Sequence, residues 1–142
     1  MGAVVRNPAH LARVVCLALS VAACGAGPQR WTDTPFERAA ADAASTFSAA
    51  AEILERAHAR SVTETYLRGS LQVFAEQLDG LDAQLSSLEG RPDRAVIADL
   101  IATYGRAKAT IDEPCIGSDC GWHEQVGALR AAAQAFLRAV SG

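Results

Sequence analysis

Large apolar side chains recur every three or four residues through the middle of the chain. They are Leu67, Leu71, Phe74, Leu78, Leu81, Leu85 and Leu88. Because an α-helix turns once in about 3.6 residues, this spacing places all of them on one helical face. Gly69 and Gly80 each weaken the helix by about 1 kcal/mol relative to Ala, and Gly90 and Pro92 end it. The pattern predicts one long amphipathic helix whose leucine face must be buried against other helices.

A second helix is predicted before it, over residues 35–59. Thr34, Pro35 and Glu37 form a capping box with Pro at the first helical position. The apolar positions that follow alternate in spacing between four and three residues, as in a heptad repeat: Phe36, Ala40, Ala43, Phe47, Ala50, Leu54 and Ala57. Since this face is mostly alanine and the next helix is mostly leucine, the two helices can approach closely.

The junction between these two helices has its own signal. Ser61 and Glu64 have the spacing of a second capping box, and the apolar seam changes phase there. We therefore expect the chain to break near Arg60, with one longer, bent helix as the alternative.

Two further helices are predicted after residue 92. The third ends at Pro114 and the fourth follows Gly121. Their apolar positions are Ile97, Leu100, Ile101, Tyr104 and Ile111 in the third, and Val126, Leu129, Ala133, Phe136 and Val140 in the fourth. No useful stretch alternates with period two. The predicted fold is all-α, and short connections favour an antiparallel four-helix up-and-down bundle.

The beginning of the chain has the pattern of an export signal. Residues 1–13 carry Arg6, His10 and Arg13 and no acidic residue, and residues 14–23 carry no charge. A basic start, a short apolar core and small residues at its end define a secretory signal. The apolar run is too short to span a bilayer, which needs about 20 residues.

The end of this segment is more specific. Residues 21–24, Val-Ala-Ala-Cys, resemble the lipobox of bacterial lipoproteins. The resemblance covers residues 1–25 only, and it implies that Cys24 is acylated and becomes the first residue of the mature chain. The alternative is an ordinary signal peptide cut after Ala23. Several acyl chains on one Cys give stable membrane anchoring.

These observations divide the chain into a signal peptide at 1–23, a flexible tether at 24–33 and a helical domain at 34–142. Removing residues 1–23 takes the formal net charge from −3 to −5, because Arg6 and Arg13 are lost. Such a domain is not the basic footprint of a nucleic-acid binder, and an anionic membrane repels it. The lipid on Cys24 would hold the protein at the periplasmic face or the cell surface.

The connection between the third and fourth helices contains Cys115 and Cys120. In an exported domain, two remaining cysteines close in sequence predict a disulfide. The chain-entropy stabilisation for so small a ring is about 2 kcal/mol. The spacing is not the Cys-x-x-Cys of redox enzymes, so we expect a structural staple.

The same end of a bundle would hold His58, His123 and Trp122. The two histidines are weak candidates for a metal site, because their spacing matches no strong metal signature; a solvated polar loop is favoured. Trp122 is the candidate partner contact, since Trp is enriched at binding hot spots. The alternative is a hydrophobic cap over the end of the bundle.

Two functions follow. The first is a non-catalytic interaction or structural module of the cell envelope, anchored by lipid and working on another envelope protein. The alternative is a small-molecule or metal-binding, sensor-like bundle, favoured by the Ala-rich seam and by Tyr66 and Tyr104. Haem-attachment, phosphate-loop and nucleophile-elbow motifs are missing from the sequence, so we expect no enzyme activity and no cofactor.

Overall fold

A computed structural model describes residues 34–117 and 120–141. In these residues the chain is helical and contains no strand, which confirms the all-α class. The helices are α1 Pro35–His58, α2 Glu64–Leu78, α3 Leu81–Leu85, α4 Arg94–Asp112 and α5 Trp122–Ser141. The predicted signal peptide, lipobox and tether lie outside the described residues.

The start of α1 has the capping box that the sequence predicts. The Glu37 backbone N–H donates to Thr34 Oγ1 at 3.2 Å, and the Thr34 N–H donates to Glu37 Oε2 at 2.6 Å. These two bonds satisfy backbone donors that the first helical turn leaves free. The Phe36 N–H bonds the Glu89 carbonyl at 3.1 Å, which joins the start of α1 to the segment after α3.

The predicted break near residue 60 is confirmed, and α1 and α2 are separate helices. Arg60 has a φ of 55°, a left-handed conformation that a helix does not continue through. The capping box predicted at Ser61 is wrong, because Thr63 Oγ1 is the cap and accepts the Tyr66 N–H at 3.2 Å. The Ser61 hydroxyl instead donates to the Arg56 carbonyl.

The long leucine-rich helix is divided in two, so its predicted continuity is wrong. α2 ends at Leu78, Gly80 has a φ of 77°, and α3 begins at Leu81. Only glycine adopts this left-handed conformation without a steric cost. Leu78, Leu81 and Leu85 are nevertheless all buried, so the apolar face continues past the break.

Most of the core is built from the predicted heptad positions, although Ala57, Phe74, Leu88, Ile101 and Val140 are only partly buried and Ala44, Ala51, Ile53, Ala107 and Ala132 are buried without having been predicted. The buried ones are Phe36, Ala40, Ala43, Phe47, Ala50 and Leu54 of α1, Leu67, Leu71, Leu78, Leu81 and Leu85 of α2 and α3, Ile97, Leu100, Tyr104 and Ile111 of α4, and Val126, Leu129, Ala133 and Phe136 of α5. α1 packs most extensively against α5. At the centre the Phe47 ring lies 5.8 Å from Phe136 and 6.3 Å from Tyr104. Small side chains on α1 allow this close approach.

Candidate contact site at the disulfide

The predicted bond between Cys115 and Cys120 is present, and it lies in the connection between α4 and α5. The two Cα atoms are 5.8 Å apart, within the usual range for a disulfide. Cys120 is exposed and Cys115 is partly buried. The bond therefore joins the end of α4 to the residue two positions before α5.

A side chain of α5 holds the same connection without a covalent bond. Gln125 Oε1 accepts the Cys115 backbone N–H at 2.6 Å, and Gln125 Nε2 donates to the Glu113 carbonyl at 3.1 Å. One amide thus satisfies the Glu113 carbonyl just after α4 and a backbone N–H within the connection. Sequence reasoning missed Gln125, whose only signal was its position in the first turn after the cysteines.

Trp122 is the first residue of α5, and its indole is half-buried against the core. Its ring centroid lies 3.8 Å from that of His58 with the two planes at 87°, and 3.6 Å from that of His123 with the planes at 28°. The Trp122 N–H donates to the Cys120 carbonyl at 2.7 Å. The structure therefore brings Trp122 together with both histidines and the end of the disulfide loop, as the sequence analysis expected.

The two histidines lie against the indole. Among residues 34–117 and 120–141, no three His, Cys, Asp or Glu side chains are close enough to hold a metal ion. His58 Nε2 is buried and has no hydrogen-bond partner. Buried polar atoms normally have one, so the burial of this nitrogen costs free energy.

A second cluster of titratable groups surrounds the break between α2 and α3. The Tyr104 hydroxyl donates to the Leu78 carbonyl at 2.8 Å, so it does not reach water as a core Tyr usually does. Burial, followed by the nearby Asp82 carboxylate, raises the pKa of Tyr104 above its ordinary value of 10.0. Perturbed pKa values also mark functional sites, but this hydroxyl is fully used in holding the helix end.

Lys108 ties the same break to α4. Its Nζ lies 3.0 Å from Asp112 Oδ2 and 3.4 Å from Asp79 Oδ1. The hydrogen bond to Asp112 raises the pKa of Lys108 above 10.5. Both carboxylates favour the charged form of the Lys108 amine. Through Asp79, this amine links α4 to the end of α2.

A groove of about 560 Å³ runs between α1 and α2. Its lining residues are Ala49, Glu52, Ile53, Arg56, Val62, Thr63, Tyr66, Ser70 and Phe74. Tyr66 stands at the edge with 60% of its surface exposed. Arg56 forms an ion pair with Glu52, and Arg68 forms one with Glu64. Of the two tyrosines considered in the sequence, only Tyr66 therefore lies on an open surface.

No protein-family model matches this chain, and comparison with curated proteins and with solved structures finds no match either. Within the described part of the chain, no helix is long and apolar enough to cross a membrane. Cys24 lies outside the described residues.

Proposed function

We propose that this chain is a bacterial lipoprotein of the cell envelope, anchored by lipid on Cys24, whose helical domain is a non-catalytic interaction module. Two features support the anchor: the lipobox-like Val-Ala-Ala-Cys at residues 21–24 and the uncharged run before it. The Gly- and Pro-containing residues 25–30 support a flexible tether between Cys24 and the helical domain. Export of the chain, followed by attachment of lipid to Cys24, would hold the domain at the periplasmic face or the cell surface.

We infer that the helices form an antiparallel up-and-down bundle. Contacts between helix ends support this arrangement: His58 at the end of α1 lies against Trp122 at the start of α5. The start of α1 is bonded to the Glu89 carbonyl, after α3. Neighbouring helices that exchange contacts in this way run in opposite directions.

This arrangement sets the distance between anchor and contact site. α1 has 24 residues, and a helix of that length rises about 36 Å at 1.5 Å per residue. Because His58 and Trp122 meet at the far end of α1, the disulfide end stands tens of Å from the residue where the tether joins.

One observation carries the proposed contact: Trp122 is half-buried and held in place by its neighbours. The disulfide precedes it, and Gln125 fixes the connection from the following turn. A large aromatic side chain that is already ordered loses little conformational entropy when a partner covers its open face. Central aromatic residues of this kind dominate the energetics of many protein interfaces.

The anchor is tested by metabolic labelling with a palmitate analogue in a bacterial host. The wild-type chain and Cys16→Ala should both be labelled, because Cys16 belongs to the signal peptide. Cys24→Ala should not be labelled. Equal labelling of Cys24→Ala would contradict the lipoprotein assignment.

The contact surface is tested by photo-crosslinking in the same host. A photoreactive residue at Glu124, exposed in the first turn of α5, should give a discrete adduct with another envelope protein. The control is Arg138, exposed about four turns further along the same helix. Adducts at both positions, or only at Arg138, would contradict a contact at the disulfide end.

The second candidate function, binding of a small molecule, is favoured by the groove between α1 and α2. Its volume of about 560 Å³ lies within the range of small-molecule sites. Native mass spectrometry of the full chain in detergent should then show a retained ligand. Ala49→Trp, which fills the groove, should abolish it, whereas Ala41→Trp, on the exposed face of α1, should not.

A further inference from the structure

The disulfide lies outside the hydrophobic core. The core takes side chains from all five helices, and neither Cys115 nor Cys120 is among them. On the two sides of the bond, α4 and α5 are anchored by Ile111 and Val126, each 3% exposed. The packing of these helices therefore does not depend on the covalent bond.

The bond instead joins the groups that position Trp122. The Cys120 carbonyl accepts the Trp122 N–H at 2.7 Å. The Cys115 N–H is held by the Gln125 side chain, one turn into α5. Breaking the disulfide removes the covalent restraint on Cys120. Because the Cys120 carbonyl bonds Trp122, the first residue of α5, Trp122 loses part of its restraint as well.

The indole of Trp122 lies against the ring of His58, which contains an unpaired buried nitrogen. His58 Nε2 is shielded from water and has no hydrogen-bond partner, and the two ring centroids are 3.8 Å apart. A buried nitrogen without a partner costs free energy that water would restore. Movement of Trp122 away from His58 is therefore favoured at this atom; it is opposed by the packing of the indole against the core, by its stacking on His123 and by the bond to Cys120.

We propose that the Cys115–Cys120 disulfide is a redox-controlled clasp over Trp122. Reduction by a dithiol releases the indole from His58 while the helices keep their packing. The inference rests on the proposed contact at Trp122 and names the regulation of that site, because the two redox states present different aromatic surfaces to a partner.

The reaction is a thiol–disulfide exchange. A thiolate of the dithiol attacks the sulfur of Cys120, the more exposed cysteine, and Cys115 leaves as a thiolate that takes up a proton. The second thiol of the reductant then attacks its own sulfur in the mixed disulfide and releases Cys120. Two electrons pass to the cysteine pair, and the dithiol becomes a disulfide.

The test measures how accessible Trp122 is in each redox state. The full chain carries Trp31→Phe, so that Trp122 is its single indole. Acrylamide quenching is measured with fluorescence lifetimes, which removes direct quenching by the disulfide. Dithiothreitol should raise the bimolecular quenching constant about twofold, because a half-buried indole gains a second open face. The far-UV circular dichroism should stay unchanged.

Two variants in the same background serve as controls. Cys115→Ser/Cys120→Ser should show the raised quenching constant with and without dithiothreitol. His58→Leu, which removes the unpartnered nitrogen, should show a smaller rise in the quenching constant when dithiothreitol is added. An equal quenching constant in the oxidised and reduced protein, or loss of helix on reduction, would overturn the clasp.

These measurements need no partner, so they are independent of the proposed function. If the quenching response is present but the adduct at Glu124 is missing in both redox states, the contact proposal is wrong and the clasp stands. If the adduct forms equally in both states and the quenching constant does not change, the clasp is wrong and the contact stands.

Discussion

Of the four connections between the described helices, two are held in opposite ways. At residues 79–80 the break lies over the core, where Tyr104 donates to the last carbonyl of α2 and Lys108 pairs with Asp79. At the connection between α4 and α5, a covalent bond and the Gln125 amide act near the surface. We infer that the bonds at residues 79–80 stabilise the fold, whereas those between α4 and α5 order the proposed contact surface.

The comparison predicts a large loss of stability at the core break. Leu78→Ala should lower the free energy of unfolding by about 2–5 kcal/mol, because Leu78 is 2% exposed and the smaller side chain leaves a cavity. Urea unfolding of the full chain in a mild detergent measures it. Leu137→Ala is the control, at a side chain that is 50% exposed; equal effects of the two changes would mean that the packing at the break is not as described.

The next largest effect is expected from the hydroxyl that holds the break. Tyr104→Phe should cost about 1–3 kcal/mol, since the buried Leu78 carbonyl loses its partner. Tyr66→Phe, at an exposed ring, should leave the unfolding midpoint where it is. If Tyr104→Phe left the free energy of unfolding unchanged, the Leu78 carbonyl would not be held by this bond.

Removing the disulfide should cost less than truncating Leu78. Cys115→Ser/Cys120→Ser should lower the free energy of unfolding by at most about 2 kcal/mol, the chain-entropy value for so small a ring. The Gln125 bonds and the packed helices on either side remain in this variant. A loss of stability larger than that of Leu78→Ala would mean that the disulfide is a main stabiliser of the fold. The two connections would then not differ in their contribution to stability.

The smallest effect concerns alkaline pH. Because burial raises the pKa of Tyr104 in the folded state, its contribution to stability is complete below about pH 10 and is lost as the pH rises through the folded value. The stability difference between wild type and Tyr104→Phe should therefore narrow from about pH 8 to about pH 11. The contribution of Lys108 to stability changes with pH in the same direction in both proteins, so it cancels in the difference between them. A difference that widens with pH would contradict the buried hydroxyl.

The sequence predicted the helical regions and most of the buried positions, because the heptad spacing is a strong local signal. It did not predict the break at Gly80, because Leu78 and Leu81 stay in phase across it and the interaction that fixes it comes from Tyr104, 26 residues away. The disulfide was predicted from two cysteines close in sequence, on the expectation that the chain is exported. The sequence placed His58 and Trp122 at the same end of the bundle, but it did not predict their ring contact, because that contact depends on how α1 and α5 are rotated against each other.

The most direct test compares two neighbouring positions on α5. Trp122→Ala should abolish the adduct formed by the photoreactive residue at Glu124, under conditions where the variant is folded. Val126→Ala removes a buried core side chain one turn later, so it should lower stability yet keep the adduct. If Trp122→Ala keeps the adduct, or if both variants lose it while folded, then Trp122 is a structural cap and the contact surface lies elsewhere.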